Sequence, residues 1–225
     1  MPTHTSPTPR VIVKKDGAIG WMIFNNPERL NAVSLDMWQA IPSIIASFEA
    51  DAEIKTIVLT GAGGTIAMID GFCIGGGLGI ALSCDLRFAS AGSTFGIPAA
   101  KLGLAYAASG TRRLVDIVGP AYAKEIFFTA RRFTHDEALA MGLINRVFAR
   151  DALEAEVRAT CATIADNAPL TVMTAKKIVD ETRKAPENFD AAFCDQLIER
   201  CFHSQDYAEG RTAFMEKRKA VFKGR

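Results

Sequence analysis

The stretch Asp70-Gly71-Phe72-Cys73-Ile74-Gly75-Gly76-Gly77-Leu78-Gly79-Ile80-Ala81-Leu82 sets three consecutive glycines between a short apolar strand and an apolar helical body. Glycine lets backbone N–H groups approach a ligand with no Cβ in the way. In the first turn of a helix those N–H groups lack intrahelical acceptors and carry the positive end of the dipole, so they suit a phosphate or a developing oxyanion. A tight turn or close helix packing explains the glycines equally well, and the glycines by themselves do not separate the two. Two nucleotide readings weaken on the residues that follow. A P-loop needs Lys and then Ser or Thr after its last glycine, where Leu78 and Gly79 stand; a dinucleotide fingerprint needs glycine where Ile80 stands.

Outward from this loop the chain alternates strands and helices, which is α/β logic. Upstream, Val11-Ile12-Val13, Asp16-Gly17 and Ile19 to Phe24 read as a β-hairpin, preceded by a Pro/Thr-rich disordered tail over residues 1–10. Ser34 is placed to cap a helix in which Leu35, Trp38, Ile41, Ile45 and Phe48 recur at helical spacing, and Pro42 is expected to kink or split it. Ile54 to Thr60 and Thr65 to Ile69 read as buried strands separated only by Gly61-Ala62-Gly63-Gly64. Continuous apolar runs imply parallel pairing, and a parallel pair needs a crossover of about a dozen residues or more, so a segment is expected to be missing between Gly64 and Thr65. Downstream, Asp85 to Ala89 is a strand. Gly119-Pro120 starts a helix, Thr134 with Glu137 forms a capping box, Gly142 stops that helix, and Asp151 and Pro169 open two more. Residues 11–150 form the α/β core, and residues 151–225 an α-helical C-terminal region.

With 225 residues, 49% hydrophobic and 23% charged, the chain buries a sizeable core, which excludes disordered and fibrous classes. Its formal charge of +1 offers no global field for nucleic acid or an anionic membrane. Cys73, Cys84, Cys161, Cys194 and Cys201 are odd in number and lack metal-ligand spacing, as reduced thiols of a cytoplasmic protein would. No stretch approaches the roughly 18 uncharged residues of a membrane helix. His4, His135 and His203 pair with no Cys or Asp at ligand spacing, so neither a metal site nor a Ser-His-Asp triad is expected. Asp70 and Asp85 read as structural groups at strand ends, and Ser109 and Thr111 have no neighbouring base.

The strings NAVSLDMW (31–38), VLTGAGG (58–64), IAMIDGFCIGGGLGIALSCDLRFA (66–89), FGIPAAKLGL (95–104), GTRRLVDIVG (110–119), EALAMGLINRV (137–147) and AFMEKRKAVF (213–222) resemble, in order, the signatures of the crotonase (enoyl-CoA hydratase/isomerase) superfamily. The resemblance runs from Arg10 to the C-terminus. It implies a spiral of ββα units, assembly as trimers or dimers of trimers, and acyl-CoA substrates whose thioester enolate is held by two backbone amides. Coenzyme A enters as part of the substrate, with no separate cofactor. Gly76, within the oxyanion loop Gly75 to Gly77, matches the position of one amide. The other comes from the segment that follows the GAGG-like stretch, where Gly64 here runs directly into Thr65.

The resemblance also exposes departures. Hydratases of the family carry glutamates at the positions of Gly79 and Ala99, and neither glycine nor alanine can exchange a proton, so two-glutamate hydration is not supported. Tyr106 is placed as in the methylmalonyl-CoA decarboxylase branch, where an anionic base would repel the substrate carboxylate. An amphipathic packing residue is an equal reading of Tyr106. For CoA, the resemblance points to Arg29, Leu30 and Ala32 at the adenine, and to Phe214 and Lys217 against the nucleotide. Arg211, Lys217, Arg218, Lys219, Lys223 and Arg225 make the C-terminus locally basic, which suits phosphates, although a solvated helix face explains any one of them. A catalytically silent CoA-binding scaffold and a nucleotide-binding α/β protein stand as rivals.

Overall fold

β1 (Val11–Asp16) and β2 (Ile19–Phe24) pair antiparallel as the hairpin that Asp16-Gly17 forecasts, with Gly17 at φ 57°, where a side chain would be strained. The computed structural model describes residues 4–29, 31–60 and 66–225 and separates into two units, Met1–Cys161 and Ala162–Arg225. In the first unit the further strands are β3 (Thr56–Thr60), β4 (Ile66–Ile69), β5 (Phe72–Ile74), β6 (Leu86–Ser90), β7 (Thr94–Gly96), β8 (Phe133–Thr134) and β9 (Arg146–Phe148). Its helices are α1 (Leu35–Glu49), α2 (Gly76–Ala81), α3 (Ala99–Leu102), α4 (Ala108–Thr129) and α5 (His135–Ala140). A six-stranded sheet runs β1-β2-β3-β4-β6-β9 and is parallel from β2 onward; a second sheet, β5-β7-β8, is parallel between β5 and β7.

β3 and β4 are parallel, as their apolar runs imply, yet only residues 61–65 separate them. The junction of Gly64 with Thr65 lies outside the described residues. Ile66 sits beside Val58, two residues back from Thr60, so the facing ends of the two strands are roughly 8 Å apart by strand geometry.

α1 corrects the sequence reading of its apolar face. The buried positions are Met37, Ala40, Ile44 and Phe48, whereas Leu35 is 73% exposed and Trp38 44% exposed. Both stripes have helical spacing, and packing on the sheet chose the first: Phe48 lies so close to β2 that a Cβ on Gly20 would fall 2.9 Å from its ring. Ser34 holds the N-cap position, but its hydroxyl donates to Asp36 instead of accepting a backbone amide. Pro42 does not split the helix, which runs unbroken through it. The chain start is also more ordered than expected over residues 4–10. His4 bridges Ser47 Oγ (2.7 Å) and Asp51 Oδ2 (3.1 Å), and Thr8 donates to Asp36 (2.6 Å). Asp51 already accepts the Lys15 ammonium at 2.8 Å and the Glu53 amide at 3.0 Å, so this grouping ties the chain start down.

Two buried clusters form the interior of the first unit. One gathers Val11, Met22, Phe48 and Leu59 under α1; the other gathers Leu78, Phe95, Ile97, Leu114 and Phe133 beneath the glycine loop. The capping box forms as forecast: Thr134 Oγ1 accepts from the Glu137 amide, and Glu137 Oε2 accepts from the Thr134 amide. In α4, Gly119 at φ 75° and ψ 166° breaks the helical path, so Pro120 opens a second helical stretch abutting the first.

α6 (Leu153–Asp166) crosses the boundary between units, and α7 (Pro169–Thr182), α8 (Ala191–Phe202) and α9 (Gln205–Glu216) make up the second. Pro169 occupies the first turn of α7, where its missing N–H costs nothing. Asp190 and Ser204 cap α8 and α9 through their side chains. All five cysteines are free, and only Cys201 is incompletely buried. Burial, helped by the neighbouring Cys84, pushes the Cys73 thiol up to about 12. A thiol reagent such as DTNB at mildly alkaline pH is therefore expected to modify no cysteine but Cys201 in the native protein and all five after denaturation. Among the described residues no helix is long and apolar enough to cross a membrane.

Candidate active site

Gly75 makes the turn from β5 into α2 at φ 59° and ψ −119°, a conformation glycine adopts without a Cβ penalty. Its N–H donates to the Gly96 carbonyl at 2.8 Å, and its own carbonyl accepts from Gly79 at 3.0 Å. The helical ladder of α2 thus begins with the Gly79 amide. The amides of Gly76 and Gly77 precede it and have no helical acceptor. Gly76 is exposed, and a Cβ on Gly77 would meet nothing within 4 Å.

Tyr106 comes to the same loop from a different part of the chain. α3 ends at Gly103 in the left-handed region (φ 63°), and the chain then runs through Tyr106 into α4. A Cβ placed on Gly75 would lie 3.9 Å from both Tyr106 Oη and Pro98 Cδ. The tyrosine ring meets Phe127 edge-on at 5.4 Å. The ring therefore packs against Phe127 while the hydroxyl faces Gly75. Burial raises its hydroxyl above the ordinary tyrosine value, so it carries its proton at neutral pH and can donate.

Trp38 is the site residue that sequence reasoning missed. Its Cζ2 lies 3.6 Å from where a Gly76 Cβ would be. The signal was a tryptophan at a helix position outside the buried stripe of α1. Gly79 and Ala99 differ in setting: a side chain at 79 would find open space, whereas Ala99 is 5% exposed and packs into the core cluster. Asp70 accepts Ser90 Oγ at 2.6 Å and Arg150 Nε at 3.0 Å, so it anchors strand ends as expected.

The positions assigned to CoA fall in both units. Arg29 closes a 3-10 turn, and Ala32 donates to the Arg29 carbonyl while its own carbonyl accepts from Asn26 Nδ2 (both 2.9 Å); Leu30 lies outside the described residues. In the second unit Phe214 is 82% exposed on α9, and Lys217 is its C-cap at φ 55°. Among the described residues no group of three or more His, Cys, Asp or Glu is placed to hold a metal ion.

A sequence model described as Enoyl-CoA hydratase/isomerase matches residues 63–225. The chain belongs to the enoyl-CoA hydratase/isomerase family. It is 31% identical over 249 residues to the short-chain-enoyl-CoA hydratase of Clostridium acetobutylicum, covering 93% of this chain and 95% of that protein. It is 28% identical over 252 residues to the crotonyl-CoA hydratase of Syntrophomonas wolfei, covering 94% and 97%. The crystal structure of an enoyl-CoA hydratase/carnithine racemase from Magnetospirillum magneticum matches with a TM-score of 0.89 at 30% identity, covering 98% of this chain and 97% of that one. The expected crotonase fold is therefore the fold of this family member, and the chain is an enzyme of that superfamily. Both alignments are longer than the 225 residues of this chain, so the relatives carry aligned positions that it lacks.

Proposed function

We propose that this enzyme binds an acyl-CoA thioester, places the thioester oxygen on the Gly76 amide, and holds the enolate there in a reaction that does not use a pair of carboxylates. The observation that carries the reading is the pair of helix-start amides at Gly76 and Gly77, with the protonated Tyr106 hydroxyl facing the adjoining Gly75. As an α-carbanion forms, its charge moves onto the thioester oxygen, and an amide already aimed there stabilises it without reorganisation. The family resemblance puts the second amide in a segment expected after Gly64. Tyr106 is a donor whose hydroxyl faces the glycine loop at Gly75. Gly79 and Ala99 supply no proton acceptor for activating water, which argues against two-glutamate hydration.

Tyr106 favours one reaction within this class, loss of CO₂ from a 2-carboxyacyl-CoA. The C–C bond to the carboxylate breaks, its electron pair enters the enolate, and a proton returns to the α-carbon. No carboxylate base is needed, and one would repel the substrate. Steady-state assays of the wild type and Tyr106→Phe with methylmalonyl-CoA and crotonyl-CoA test this. Methylmalonyl-CoA should be consumed, and Tyr106→Phe should slow it by roughly ten- to a hundredfold. The wild-type rate should hold through neutral pH and fall only above about pH 10, where a raised tyrosine loses its proton. Fast hydration of crotonyl-CoA would sink the reading. Tight acyl-CoA binding with no turnover across a broad panel would make the chain a CoA-binding scaffold.

The same reading includes CoA carried on the substrate, for which the family resemblance implies Arg29, Leu30 and Ala32 at the adenine and Phe214 and Lys217, of this or a neighbouring subunit, against the nucleotide. It also includes assembly into trimers or dimers of trimers, for which exposed Leu102, Leu104 and Phe128 offer apolar surface. The five free thiols fit a cytoplasmic address.

A further inference from the structure

Trp38 belongs to neither buried cluster, although Ile41 and Ile45 of the same helix pack against the cluster under α1. Among the described residues no other ring and no cation stacks on its indole, which is half-exposed. A tryptophan can bury roughly 150–250 Å² of mostly apolar surface. This one leaves much of that surface in water while its Cζ2 edge lies 3.6 Å from where a Gly76 Cβ would be. The helix therefore holds a large apolar group against the oxyanion loop and contributes little of it to the core.

The space beside the indole is bare. Gly76 and Gly79 are three residues apart and share a face of α2, and a Cβ on Gly77 or Gly79 would meet nothing within 4 Å. A thioester oxygen held by the Gly76 amide would sit about 2.9 Å from its nitrogen, which brings the first carbons of the acyl group within reach of the indole. We infer that Trp38 is a specificity-determining residue of this site. Its indole contacts the acyl group and selects acyl-CoAs with an aryl ring next to the thioester over short aliphatic ones. The missing side chains at Gly77 and Gly79 leave room for the ring, and covering the exposed indole supplies the preference. The inference rests on the reading that the thioester oxygen lies on the Gly76 amide.

Isothermal titration of the full chain with phenylacetyl-CoA and with acetyl-CoA tests it. Neither carries a 2-carboxylate, so affinity is read without decarboxylation. The wild type should bind phenylacetyl-CoA roughly ten- to a hundredfold more tightly than acetyl-CoA. Trp38→Ala should bring the two dissociation constants to within about threefold of each other, and Trp38→Phe, which keeps a ring, should retain part of the preference. Thermal melts establish that both variants are folded. Fluorescence gives a second readout. The other tryptophan, Trp21, is 2% exposed beneath the Arg158 guanidinium, so the emission change on adding phenylacetyl-CoA should come from Trp38 and disappear in Trp38→Phe. Equal wild-type affinities, or a preference that survives Trp38→Ala, would overturn the inference. The two readings fail separately. A preference lost in Trp38→Ala, with no wild-type turnover of methylmalonyl-CoA, sinks the decarboxylation and keeps Trp38 in its role; turnover with a preference that survives keeps the decarboxylation and removes Trp38.

Discussion

Replacing Gly76 by proline is expected to lower kcat by roughly 10²–10³-fold with little loss of folding stability, whereas Gly76→Ala retains most of the turnover. The two substitutions differ in one respect that matters, the N–H. Proline is well suited to the first position of a helix, where its fixed φ is already helical and no intrahelical bond is lost. The ladder of α2 begins at the Gly79 amide, so Gly76 donates to nothing within the helix. Steric limits on the residue before proline are relaxed because Gly75 has no Cβ. Alanine keeps the donor, and its Cβ would make an ordinary contact with Trp38 at 3.6 Å. The comparison is read as kcat and KM on the acyl-CoA turned over fastest, together with a thermal melt of each variant. A folded Gly76→Pro enzyme with wild-type kcat would show that this amide does not hold the developing charge.

Gly96→Ala is expected to be the most damaging single-methyl change at the site, costing about 1–3 kcal/mol and lowering Tm by roughly 4–10 °C. The new Cβ would lie 2.7 Å from the Arg131 carbonyl oxygen, and backbone cannot rotate away as a side chain can. Arg131 is itself held. Its guanidinium bonds Glu125 and Glu137, each at 2.8 Å, and lies 3.8 Å over the Phe133 ring. Any shift of β7 to relieve the clash also moves the Gly96 carbonyl, which accepts the Gly75 amide and sets the glycine loop. The loss of stability should therefore come with a fall in kcat/KM. Gly77→Ala, whose Cβ meets nothing within 4 Å, serves as the control and should melt at or slightly above the wild type. A Gly96→Ala melt within about 1 °C of the wild type would contradict the close approach of β7 to Arg131.

Elements whose causes are local in sequence are legible in the residues themselves. The β1-β2 hairpin follows from Asp16-Gly17, the α5 cap from Thr134 and Glu137, the start of α7 from Pro169, and the strand-to-helix turn before α2 from Gly75 to Gly77. The phase of α1 is not legible in this way, because Leu35, Trp38, Ile41 and Ile45 repeat as helically as Met37, Ala40 and Ile44, and periodicity does not say which stripe meets the sheet. The His4 bridge to Ser47 and Asp51 spans more than forty residues of chain, and no spacing rule reaches that far.

By itself, the sequence determined that an α/β chain sets a glycine triplet between a strand and a helix at Gly75 to Gly77, and that Gly79 and Ala99 cannot act as carboxylates, because missing side chains and functional groups follow from residue identity. Tertiary structure alone decided what surrounds those amides. It brought Tyr106 Oη and Trp38 to the glycines, seated Ala99 in the core while leaving Gly79 open, and set β4 beside β3 with Ile66 against Val58. These are contacts between segments far apart in the chain, selected by which faces pack together, and no single segment carries that information.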